Sequence, residues 1–187
     1  MFHFFRNAAR ACRVSAALAV CIVAGFSGLA GAGVVDSEIV YNRKAWQVRI
    51  VAFDDGTFAC SAEVGTGNSN FLIWADATNN ASLQFYNKSW SFDGGTADVE
   101  LRIDRRASWT LNDAKLDQSS VFFTLVDEES SYRFLREVMA GNHLSLYSSS
   151  GSRIERYSLA GSHASILALS KCVDVLKADD GDGNPFN

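Results

Sequence analysis

Short runs in which apolar and polar residues alternate recur along this chain, and a period of two fits half-buried strands and not helices. Val99, Leu101 and Ile103 alternate with Glu100, Arg102 and Asp104. Trp46, Val48, Ile50 and Ala52 alternate with Gln47, Arg49, Val51 and Phe53; Asp54-Asp55-Gly56 supplies a turn, and Thr57–Val64 returns as a second strand. After a loop over Gly65–Asn70, Phe71–Ala75 and Ser82–Tyr86 predict two strands about an Asn79-Asn80 turn. Val121–Val126 predicts another, and Leu144–Tyr147 with Arg153–Leu159 predicts a hairpin about Ser148–Gly151. Two segments switch to helical spacing. Glu128–Ala140 puts Leu135, Val138 and Met139 on one side and stops before Gly141, a residue suited to the position after a helix end. Ser162, read as an N-cap, opens a second helix to about Lys177 with Ile166, Leu169, Val173 and Leu176 as its apolar stripe. The pattern predicts an α+β fold, mainly antiparallel β and sandwich-like, with helices near 128–140 and 162–177.

The first 32 residues predict where the chain goes. Arg6, Arg10 and Arg13 form a positive start, an uncharged run follows from Val14 to Val35, and Ala30-Gly31-Ala32 has the small-x-small pattern of a signal-peptidase site. Cleavage is expected after Ala32. An uncleaved anchor is the alternative, but Gly25, Gly28, Gly31 and Gly33 crowd the second half of the run. A lipid anchor on Cys21 fits less well, since Val20 stands where a small residue is required. Residues 1–32 therefore read as a secretory signal, 33–178 as one β-rich globular domain, and 179–187 as a polar acidic tail. Removing the three signal arginines from 17 Lys+Arg leaves 14 against 21 Asp+Glu, a formal charge of −7. So acidic a domain argues against nucleic acid and against anionic membrane surfaces.

Cys12 and Cys21 leave with the signal, and Cys60 and Cys172 remain. Cys60 falls on the apolar side of its strand, and Cys172 shares one stripe of the last helix with Leu169, Val173 and Leu176, so both thiols are expected to face the core. In an oxidising compartment these two are expected to pair.

Motifs that would carry catalysis have blander readings here. Gly161-Ser162-His163-Ala164-Ser165 lacks the second glycine of a nucleophile elbow. Asp180-Gly181-Asp182-Gly183-Asn184 starts like a calcium loop but has Pro185 where glycine is needed and ends before the final glutamate. The Cys and His residues are not at metal-ligand spacing. No cofactor is expected. The remaining candidates are aromatic: Trp74, Trp90 and Trp109 lie near loop-rich stretches, and Trp90 sits in the polar setting Asn87-Lys88-Ser89-Trp90-Ser91. Each is a candidate partner-binding anchor or a core residue at one end of the sheet.

Several features, taken in order, resemble one family. They are Trp46-Gln47-Val48, Gly56, Cys60, the strand Val99–Asp104, the helix Tyr132–Ala140 closed by Gly141-Asn142, and Ser158-Leu159-Ala160-Gly161 leading into an Ala/Leu-rich helix. In that order they resemble the invasion-associated locus B family of small periplasmic proteins of alphaproteobacteria. The chain departs from the family in lacking a cysteine just after the first tryptophan strand and a pair near the middle, and in carrying one in its last helix. The resemblance implies a β-rich exported fold with no established catalytic machinery, and it assigns no functional residues.

The expected function is that of an exported, non-catalytic envelope or secreted protein that binds a protein or glycan partner, with inhibition of a hydrolase as one concrete form. A periplasmic hydrolase using dispersed carboxylates and a structural envelope component are the alternatives. The expected location is periplasmic or extracellular, with no membrane attachment after cleavage.

Overall fold

The computed structural model describes residues 33–77, 81–125 and 127–180. The expected signal with its cleavage site at Ala32, the Asn79-Asn80 turn and residues 181–187 of the expected tail lie outside the described residues. Ten strands and two helices follow one another: β1 (Val34–Arg43), β2 (Trp46–Phe53), β3 (Phe58–Gly65), β4 (Ser69–Ala75), β5 (Ala81–Asn87), β6 (Thr96–Ile103), β7 (Trp109–Asp117), β8 (Ser120–Leu125), α1 (Glu128–Ala140), β9 (His143–Ser148), β10 (Arg153–Ser158) and α2 (Ser162–Asp180). All ten strands join one sheet in the order β1-β2-β3-β4-β5-β8-β7-β6-β9-β10. Every neighbouring pair is antiparallel. The strands predicted from alternation thus lie in one continuous hydrogen-bonded sheet and not in two separately bonded sheets.

Register follows from the alternation. Trp46, Val64, Phe71, Phe85 and Val121 stand opposite one another across five strands, and Val48, Ala62, Ile73, Leu83 and Phe123 form the next row. A shift of one residue in any strand would turn its apolar set to the other face. These rows are the core face. The far edge of the sheet reaches back to it: the Tyr157 ring of β10 lies 5.9 Å from Phe71 and 6.2 Å from Phe85. The indole N–H of Trp46 donates to the Ser158 carbonyl at 3.2 Å, and Asn87 donates to Glu155. Burial pushes the Tyr157 phenol up to about 12, partly offset by its hydrogen bond with Ser69.

α2 packs beside β1, β2 and β3 and against α1. Its stripe is the one expected: Ile166, Leu169, Val173 and Leu176 are all buried. Cys172 of α2 is bonded to Cys60 of β3, with a Cα–Cα separation of 6.1 Å. Among the described residues, no helix is long and apolar enough to cross a membrane.

Five local expectations need correction. β1 and β7 were not legible as strands. The loop over residues 65–70 is shorter, because β4 begins at Ser69. The last helix runs three residues past Lys177 to Asp180, so 179–180 are helical. Ser162 does not cap its own helix; its hydroxyl is buried and donates to the Val138 carbonyl at 2.8 Å, tying α2 to the end of α1. Gly141 is not left-handed but extended, with φ −90° and ψ 167°. It is needed for space: a Cβ there would stand 2.7 Å from Ile103 Cγ2 and 2.8 Å from Leu159 Cδ1.

That tight packing gives a prediction. Gly141→Ala should cost about 1–3 kcal/mol by overpacking, although alanine has the better helix propensity next to a helix end. Urea titration of the two proteins checks it; equal midpoints would mean that Ile103 and Leu159 yield freely.

Candidate functional site

The face of the sheet opposite the core carries the second half of each alternation. In β2 this set is Gln47, Arg49 and Val51, in β3 Ser61 and Glu63, and in β4 Leu72 and Trp74. These side chains meet in a groove of about 610 Å³ running over β1–β4, within the size range of small-ligand sites. Val34 and Ser37 of β1 line one side, and Gly65, Thr66, Gly67 and Asn70 line the groove from the β3–β4 turn. The turn needs glycine at 65, since a Cβ would fall 2.2 Å from the Ser69 carbonyl oxygen.

Cross-strand register sets the centre of the groove. Arg49 stands opposite Ser61, and Ser61 opposite Trp74. The Arg49 guanidinium is held on three sides: Nε to Glu63 Oε1 at 3.0 Å, one terminal nitrogen to Gln47 Oε1 at 3.0 Å, the other to Ser37 Oγ at 3.5 Å. A planar fork gripped in this way is fixed in direction, unlike a free surface arginine. The Trp74 indole N–H donates to Gln84 Oε1 at 2.8 Å, and Gln84 in turn donates to Ser120 Oγ at 2.9 Å. Phe53 lies 6.3 Å from the Trp74 ring. Ser61, only 1% exposed, lines the groove between them, and its hydroxyl has no hydrogen-bond partner among the described residues. Burying an unsatisfied hydroxyl is costly, on the order of 1–3 kcal/mol.

The three candidate tryptophans line three separate pockets. Trp74 lines the groove just described. Trp109 lines a smaller hollow with Asp127, Ser130 and Arg133. Its N–H is taken by Glu137 at 3.0 Å, and its face is covered by Arg133 at 4.3 Å, so it staples β7 to α1. Trp90 packs with Phe92 at 5.7 Å against the core, and its carbonyl accepts from Ser119. It lines a hollow with Leu116, Val121, Leu146 and Ile154.

Arg49, Glu63 and Ser61 were not singled out as site residues from the sequence. The available signal was that the second face of β2–β4 bears Val51, Leu72 and Trp74, more apolar surface than a solvated face needs.

Elsewhere, Asp104 at φ 53° accepts from the backbone N–H groups of Asn142 at 2.9 Å and His143 at 3.0 Å, closing the α1–β9 turn. Burial raises its pKa, but these bonds and Arg106 outweigh that and hold it below the usual carboxylate range. Among the described residues, no group of three or more His, Cys, Asp or Glu is arranged to hold a metal ion. Set against protein-family models, curated proteins and solved structures, the chain matches none.

Proposed function

We propose that this chain is an exported, non-catalytic envelope or secreted protein that binds a partner in the groove over Arg49, Ser61 and Trp74. The signal layout of residues 1–32 and the Cys60–Cys172 pair support export to the periplasm or beyond it, as does the resemblance to the invasion-associated locus B family. A sandwich-like closure, in which β10 returns over the core face of the sheet, leaves the groove face of β2–β4 free for a partner.

The observation that carries the proposal is a groove in which a guanidinium held on three sides and an indole stand on either side of Ser61. Hydrolysis by carboxylates draws less support. It needs a pair of carboxyls facing one cleft, whereas among the described residues Glu63 is the one carboxylate lining this groove, and it is paired with Arg49 at 3.0 Å.

The test is retention of envelope protein and polysaccharide fractions on the immobilised exported protein. Trp74→Ala and Arg49→Ala should each reduce retention of the bound component by about tenfold or more, with melting temperatures within a few degrees of the parent. Trp109→Ala should instead lower stability. Unchanged retention in both groove variants, or hydrolysis of a cell-wall or peptide substrate abolished by one Asp or Glu change, would defeat the proposal.

A further inference from the structure

The chemistry of the groove also narrows what can occupy it. Among the described residues, its only charged lining residues are Arg49 and Glu63, and they neutralise each other at 3.0 Å. The protein around it is acidic, yet the groove is electrically neutral. An anion would have to draw Arg49 away from Glu63, and a cation would have to compete with Arg49 for Glu63. Neither exchange gains much, because each strips a partner from a charge. Gln47, Asn70, Thr66, Ser37 and Ser61 add uncharged donors and acceptors.

An extended peptide fits poorly for a different reason. Peptides that pair with sheets do so at an edge, where backbone N–H and C=O groups are free. The floor here is the face of β2, β3 and β4, whose backbone groups are spent on the ladders between those strands. Recognition from this floor must come from side chains alone. Planar amide, guanidinium and carboxylate groups around an indole suit a ligand with hydroxyls on its rim and C–H bonds on its face. The groove also follows its strands from Gln47 to Val51, a path of about 13 Å, longer than one sugar ring is wide.

We infer that the groove binds an uncharged glycan, one sugar ring lying against Trp74 with its hydroxyls bonded to Arg49, Glu63 and Gln47. This rests on the binding function proposed above and specifies its ligand.

Calorimetric titration of the exported protein with chitotetraose, maltotetraose and cellotetraose tests this, with tetragalacturonate as the anionic control and an uncharged extended peptide as the second. At least one neutral tetrasaccharide should bind. Gln47→Ala should weaken it about three- to tenfold, the range for one neutral hydrogen bond, while leaving the melting temperature within a few degrees of the parent. Arg49→Lys should also weaken it, because an ammonium cannot reproduce the fork. Binding of tetragalacturonate or peptide alone, or of nothing in the panel, would overturn the uncharged-glycan assignment. Failure of the binding function itself is seen separately, as unchanged retention of envelope material by Arg49→Ala and Trp74→Ala.

Discussion

Replacing both Cys60 and Cys172 by alanine should lower the stability of this protein by about 2–5 kcal/mol and its melting temperature by about 5–20 °C. The bond closes a loop of sequence separation 112, and chain entropy alone assigns about 4–5 kcal/mol to a loop of that length. It also joins α2 to β3, so its loss should be felt first at α2. Amide exchange along residues 162–180 should rise more than exchange in β4, β5 or β8, whose neighbours are strands on both sides. Labelling of both Cys60 and Cys172 in the denatured, unreduced protein would show that the bond does not form, and the stability effect would then vanish.

The second large effect is expected at Trp46. Its ring is fully buried, meets Phe71 edge-on at 6.2 Å, and donates across the core to Ser158. Trp46→Ala should cost about 3–5 kcal/mol, as large aromatic truncations do. Trp46→Phe keeps most of the apolar volume and removes the N–H. It should cost about 1–3 kcal/mol, from the Ser158 carbonyl left without its donor and the smaller ring. Denaturant unfolding of both variants separates packing from the hydrogen bond. If Trp46→Phe loses no stability, the hydrogen bond from β2 to Ser158 contributes nothing, and the return of the sheet edge over the core rests on Tyr157 and the Asn87–Glu155 bond.

What alternation could reveal, it did. β2, β3, β5, β6 and β8 each have one face in the core, and the periodicity of their apolar residues follows from that. α2 was legible from its stripe; α1 was legible as a helix, but its side facing the core is centred on Phe134 and Val138, with Leu135 and Met139 only partly buried. β1 was not, because it is an edge strand exposed along nearly its whole length, so burial imposes no pattern on it. β7 was not, because Asp113 takes φ 57°, and the buried Leu111 and Ala114 fall three apart where a regular strand would place them two apart. Gly141 illustrates a different limit. Its position at a helix end was visible, but the reason for glycine lies in Ile103 and Leu159, far away in sequence. The groove was illegible for the same reason. Arg49, Ser61 and Trp74 become neighbours only through the registers of β2 with β3 and β3 with β4. Of the candidate tryptophans, polarity of the neighbouring sequence favoured Trp90, whereas Trp74 is the one whose ring lines the larger cleft.

The most direct measurement of the proposed binding site is a map of backbone and indole N–H resonances of the protein as a retained envelope component, or a binding tetrasaccharide, is added. Shifts should concentrate at residues 47–51, 61–65 and 70–74 and at the Trp74 indole, with the Trp46 indole unmoved. Shifts gathered around Trp90 or Trp109, with 47–51 and 61–65 silent, would place the binding surface elsewhere and contradict the assignment of this groove.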